Sequence, residues 1–130
     1  MKKNAFLLLI SCAILLGSCK KNPFDYRTKY IGDWEFDNNW TRYNMAATPP
    51  ASSGTTHTSG RIEYGDKGQI KIYFDANSTL SEEYDIDRDG NLEFGGMKRG
   101  SITRKSLSIQ YSFGSGGGGG TNDFTGTRKK

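Results

Sequence analysis

The stretch Ser106–Phe113, SLSIQYSF, alternates without a break: Leu107, Ile109, Tyr111 and Phe113 are separated by Ser108, Gln110 and Ser112. A two-residue period puts every apolar side chain on one face of an extended strand and every polar one on the other. A helix cannot sort this pattern, because its 3.6-residue period would scatter the apolar groups around the axis. The same period recurs along the chain. Trp34 and Phe36 oppose Asp33, Glu35 and Asp37; Ile70, Ile72 and Phe74 oppose Gln69, Lys71 and Tyr73; Leu80, Tyr84 and Ile86 oppose Ser81, Glu83 and Asp85. No helical stripe follows residue 31. Turn residues punctuate the runs at Asp66–Gly68, Ala76–Ser78, Arg88–Gly90 and Gly95–Gly96. Short, regular connections predict an all-β, antiparallel up-and-down meander of about seven or eight strands, a small barrel or tightly curved sandwich. Closure would remove the sheet edges that otherwise invite pairing with neighbours. Two segments break the rhythm. Asn44–Thr56 is long, polar and proline-containing, and reads as a loop. Gly114–Gly120 reads as a flexible connection into a last strand, TNDFTGTRK; it lacks the Gly-Lys-Ser/Thr ending of a phosphate loop.

The N-terminus predicts the compartment. Lys2 and Lys3 precede an apolar run, Ala5–Leu16, and then the small residues Gly17 and Ser18. Basic, apolar and small regions in that order form a secretory signal peptide. The run falls short of the about 20 apolar residues of a membrane-spanning helix. Leu16-Gly17-Ser18-Cys19 resembles the bacterial lipobox. That resemblance implies cleavage before Cys19, diacylation of its thiol and acylation of its new amine. Cys12 lies in the segment to be removed, so Cys19 would be the only thiol left, unusual in an oxidising compartment unless it carries lipid. Each buried CH2 contributes about 0.8 kcal/mol, so several acyl chains make a firm anchor. The expected organisation is a signal peptide over 1–18, a lipidated tether over 19–29 and a barrel domain over 30–130. Lys20, where an aspartate would retain the protein at the inner membrane, implies the outer membrane, with its periplasmic and cell-surface faces both open.

Charge narrows the partners. The chain carries 18 basic and 14 acidic residues, a formal +4. Seven of the basic residues sit at the ends: Lys2, Lys3, Lys20, Lys21, Arg128, Lys129 and Lys130. Setting them aside leaves 11 against 14, a body of about −3. Such a body offers no nucleic-acid surface. The expected partners are the membrane, through the lipid, and a small apolar ligand or an envelope protein. No cofactor is expected.

Gly32-Asp33-Trp34 resembles the Gly-x-Trp signature that opens the first strand of lipocalins. Together with the lipobox and a meander ending in TGTRKK, the chain resembles the small lipocalin-like lipoproteins of Gram-negative bacteria. The resemblance implies that Trp34 packs at the closed end of a barrel under an arginine from a late strand. Arg128 is the candidate by order, and Arg104 the alternative. It also matches the Asn44–Thr56 loop, in order, to a lid. The chain is shorter than a usual lipocalin and has no disulfide, so its own side chains could fill the barrel.

The remaining candidates come from individual residues. Asp85, Asp87 and Asp89, followed by Gly90, match the first half of a calcium loop, but position twelve is Gly96 instead of a bidentate glutamate. The alternative is a hairpin turn in which Asp-Gly supplies positive φ. His57 is the sole histidine and has no cysteine partners for zinc, nor the rigid setting a catalytic triad needs. Glu82 shares the inward parity of Leu80 and Tyr84; an inward carboxylate must pair or change protonation. Arg104, on the parity of Ile102, is its expected partner, making Glu82, Tyr84 and Arg104 candidate ligand-binding residues. Trp40, Tyr43 and Tyr73 fit the inward sets poorly and read as exposed aromatics, suited to stacking on sugars or to a protein contact. No catalytic group is expected. The function expected is binding; the alternative is an interaction module with a filled core, an accessory in polysaccharide capture or an inhibitor of an exported enzyme.

Overall fold

In the computed structural model, residues 25–130 are described. The expected signal peptide, Cys19 and the first part of the expected tether lie outside them. Eight antiparallel strands close into a barrel in chain order: β1 (Gly32–Asn44), β2 (Ala51–Tyr64), β3 (Gln69–Tyr73), β4 (Ser81–Ile86), β5 (Asn91–Phe94), β6 (Met97–Ile102), β7 (Ser106–Ser115) and β8 (Gly118–Arg128). β8 pairs back onto β1, so the meander has no first or last edge at its base.

The alternating runs supply the core. Trp34, Phe36, Ile62, Ile70, Ile72, Phe74, Tyr84, Ile86, Leu92, Ile102, Leu107, Ile109 and Phe124 are all buried and form one cluster. Leu80 departs from the expected inward set. It precedes β4, in the connection whose ends are joined by the Phe74 N–H donating to the Leu80 carbonyl, and its side chain is exposed. Phe113, on the inward parity of β7, is also exposed, because β7 outruns its neighbour.

The strands are unequal, and this shapes the molecule. β6 pairs with β7 only over Leu107–Ile109, and β3 reaches β2 only from Arg61 onward. Beyond those points β2, β1, β8 and β7 continue as a four-stranded sheet. Residues 110–115 of β7 alone extend it by about 20 Å. The barrel is therefore closed and packed at one end and opens on a tall, one-sided wall at the other, its mouth.

Two expectations fail here. Much of the predicted loop Asn44–Thr56 is strand, with residues 45–50 left as the β1–β2 connection. Most of the glycine tract is strand as well, with Gly116 and Gly117 left as the β7–β8 turn: Gly118–Gly120 pair with Arg42–Asn44 on one side and with Phe113–Ser115 on the other. A Cβ at Gly118, Gly119 or Gly120 would lie 2.5, 2.6 or 2.2 Å from a carbonyl oxygen of the neighbouring strand. Backbone crowding from β1 at Gly118 and Gly120 and from β7 at Gly119 selects these glycines, and low complexity does not mean looseness here.

The described end of the expected tether is ordered too. Residues 26–29 form a 3-10 helix capped by Asp25. It seals the closed end: the Tyr26 hydroxyl donates to the Ile86 carbonyl at 2.6 Å, and Arg27 Nη1 donates to the Asp66 and Gln69 carbonyls. The Arg27 guanidinium holds the Asp25 carboxyl below its ordinary range.

Candidate functional site

At the closed end the predicted signature residues meet. Trp34 is fully buried, and its indole N–H donates to the Tyr30 carbonyl at 3.0 Å. Arg128 stands directly across from Trp34 in the β1–β8 register. Its Nη1 and Nη2 donate to the carbonyls of Lys29 and Ile31 at 2.8 and 2.7 Å, tying the 3-10 helix down. Gly32 leaves the space that the guanidinium uses: a Cβ there would sit 3.4 Å from Nη2. The arginine spends its donors on carbonyls. The cation–ring contacts among the described residues belong to Arg27, Lys29, Arg42, Arg61 and Lys71.

Arg104 does neither of the jobs expected of it. It lies in the β6–β7 turn at the closed end, exposed, whereas Glu82 begins β4 at the mouth. The inward parity of β6 stops at Ile102, where the chain turns, so sharing a parity with Ile102 gave no contact.

The acidic stretch turns a corner. Asp87 accepts from the backbone N–H groups of Asp89 and Asn91, both at 2.9 Å, and from Asn91 Nδ2 at 2.7 Å. Gly90 has φ +88°, as the tight β4–β5 turn requires. Asp85 is drawn away to Gln69 Nε2. Among the described residues no group of three or more His, Cys, Asp or Glu is gathered as a metal site. His57 is exposed on the outer face, with Nδ1 2.6 Å from Asp37 and Nε2 3.5 Å from Glu35. Both nitrogens thus face carboxylates, and no hydroxyl nucleophile stands at either.

The mouth gathers Glu82 and Tyr84 with residues the pattern did not pick out. A recess of about 100 Å³ is lined by Glu82, Tyr84, Phe94, Arg99, Tyr111 and Ser112. The Tyr84 hydroxyl donates to Glu82. Burial pushes the Tyr84 phenol far above its ordinary range, and that hydrogen bond adds to the effect. Burial raises Tyr111 as well, followed by the charge of Glu82. Neither Glu82 nor Arg99 enters an ion pair among the described residues. Arg99 arrives through a β-bulge: Leu92 pairs with Gly100 but Glu93 pairs with Lys98, which leaves Arg99 as the extra residue. A bulge re-aims a side chain, and simple alternation from Ile102 points Arg99 outward. The one signal in the sequence is Gly100, an isolated glycine inside a strand.

Trp40 also joins the mouth. It follows Trp34 and Phe36 on the inward parity of β1 and stands on the wall above them, so it is not one of the outward aromatics. Tyr73 does face outward, beneath the Arg61 guanidinium at 4.0 Å. Tyr43 is exposed near the tip. No family model, no curated protein and no solved structure matches the chain.

Proposed function

We propose that the chain is a non-enzymatic binding protein of the cell envelope, held on the outer membrane by lipid at Cys19, and that it binds at the mouth of its barrel and not inside it. The signal-like N-terminus, the resemblance of residues 16–19 to a lipobox, and the joint use of Gly32, Trp34 and Arg128 at the closed end support this reading. One observation carries it. Below Phe74 and Phe124, whose rings lie 4.3 Å apart, the barrel is filled by one cluster of buried side chains. The recess above them holds about 100 Å³, against the roughly 300–1,000 Å³ of sites that enclose small ligands. Meanwhile Phe94 is exposed at the recess, as are Leu80, Met97 and Phe113 at the strand ends of the mouth, and neither Glu82 nor Arg99 enters an ion pair among the described residues.

A second reading is contact with an envelope protein, favoured by Phe94 and Met97, since Phe and Met are enriched at protein interfaces. Native mass spectrometry of the chain drawn from its own membrane tests both parts. The expected result is an acylated N-terminal Cys19 and a bound molecule that is lost on Arg99→Ala. An unmodified Cys19 overturns the anchor; a bound molecule indifferent to Arg99→Ala overturns the mouth. A bound protein in place of a small molecule selects the second reading.

A further inference from the structure

Above Phe124 the inward positions of the four long strands change character. They hold no aliphatic residue; the side chains presented include Asn38, Trp40 and Arg42 from β1, Tyr111 and Phe113 from β7, and Asn122 from β8. Three of them are laid against glycines. A Cβ at Gly54 would meet the Trp40 ring at 2.7 Å, so the indole rests on bare β2 backbone. At Gly120 a Cβ would lie 3.2 Å from both Arg42 Cδ and the Phe113 ring. The Arg42 guanidinium lies between the two aromatics, 5.5 Å from the Trp40 ring and 5.0 Å from the Phe113 ring. It is pinned by the Thr41 and Thr121 carbonyls and by Asn122 Oδ1. Glycine within a strand weakens the strand and marks a close approach. At Gly54 the three atoms nearest to that space all belong to the Trp40 ring.

Resting on this mouth reading, we propose that the wall binds an oligosaccharide, with the C–H face of a sugar ring stacked on the Trp40–Arg42–Phe113 surface and a ring substituent directed into the Glu82–Arg99 recess. The chemistry of the wall selects this class. An acyl chain would call for aliphatic lining, and above Phe124 the inward positions of the four long strands supply none. A strongly anionic ligand would call for an excess of free cations, yet Nη1 and Nη2 of Arg42 are bound to backbone and amide oxygens and Arg99 shares its recess with the carboxylate of Glu82. A sugar presents apolar C–H faces edged by neutral hydroxyls, which suits flat π surfaces beside amides. Asn38 adds an independent indication. Its Nδ2 donates to Asn122 Oδ1 at 3.1 Å, while its own Oδ1 is buried with no hydrogen-bond partner among the described residues. Buried acceptors are nearly always paired, so this one marks a polar spot on the wall that the described residues leave unsatisfied. In the recess Glu82 accepts and Arg99 donates without pairing to each other, which suits a group that both gives and takes hydrogen bonds.

The test is titration of the full lipidated chain, in a zwitterionic detergent that carries no sugar, with a panel of neutral and uronic-acid-containing oligosaccharides, α- and β-linked. Indole fluorescence and calorimetry report binding. At least one saccharide is expected to bind with a millimolar or tighter Kd, weakened about tenfold or more by Trp40→Ala and by Phe113→Ala. Gly54→Ala, which displaces the indole without removing it, is expected to weaken binding while leaving the unfolding transition cooperative. The proposal is overturned if no saccharide binds below about 10 mM, or if the aromatic variants bind as well as the wild type. If saccharides fail but the membrane-drawn protein still carries a molecule that Arg99→Ala releases, the sugar assignment falls and the mouth stands. If both fail, so does the mouth.

Discussion

Truncating Phe36 should cost more than truncating Phe124, although both are buried phenylalanines of one core. Phe36 is 0 % exposed, with the Trp34 and Phe74 rings centred 6.5 and 5.4 Å away. Two glycines also flank it: a Cβ on Gly60 would lie 2.9 Å from the ring, and one on Gly126 would lie 3.0 Å from it. Glycine has no side chain to swing into a void, so Phe36→Ala leaves a cavity that cannot collapse. Phe124 lies at the top of the core, with the half-buried Tyr111 ring 6.0 Å away, and Tyr111 itself lines the open recess above. Phe-to-Ala costs span about 3–5 kcal/mol according to how well the site relaxes, which places Phe36 near about 5 and Phe124 near about 3. At about 4–8 °C per kcal/mol for a domain of this size, Phe36→Ala should lower Tm by roughly 10 °C more than Phe124→Ala. Urea unfolding, followed by Trp34 fluorescence with unchanged m-values, measures the difference. Leucine at each position keeps the same order if the Phe36→Ala chain does not fold. Equal costs, or a costlier Phe124, would refute the picture of a rigid, glycine-flanked interior beneath a yielding top.

Three further outcomes follow from the closed end and the turns. Arg128→Met removes two charge-assisted hydrogen bonds and strands the Lys29 and Ile31 carbonyls; a loss of about 2–3 kcal/mol is expected, with faster amide exchange in residues 26–30. Arg104→Ala touches an exposed turn residue and should change stability by less than about 0.5 kcal/mol in a urea titration. Hydrogen bonds from Asn91 hold the Asp87 carboxyl below its ordinary 3.8. A depressed acid stabilises the fold above its unfolded value and loses that contribution as pH falls through the folded one. The Tm gap between wild type and Asp87→Ala should therefore be open at neutral pH and close below pH 3.8; a gap independent of pH would count against the ionised cap.

Much of the fold was legible because alternation and turn chemistry agreed along the chain. Trp34, Phe36, Ile70, Ile72, Tyr84, Leu107 and Ile109 are inward and buried as the two-residue period required, and the turns at 66–68, 88–90 and 95–96 fall where Gly and Asp placed them. The period failed where the backbone left regular pairing. Arg99 was missed because a bulge inserts one residue, and Arg104 was misplaced because its strand had already ended. The glycine tract was misread for a different reason. Composition reports conformational freedom, whereas here the glycines answer to carbonyl oxygens of adjacent strands, a demand set by partners far away in sequence. Trp40 needed knowledge of strand length: its parity is inward, but only a strand running well past the core turns an inward residue into part of an open wall.

Binding above a solid core, not within it, is the central claim. Chemical-shift mapping of the lipidated chain, titrated with molecules extracted from its own envelope, tests it most directly. The predicted perturbations gather at Trp40, Arg42, Phe94, Arg99, Tyr111 and Phe113, while the methyl groups of Ile70, Ile72 and Ile109 stay still. Shifts centred on those isoleucine methyls, with the wall unmoved, would contradict it.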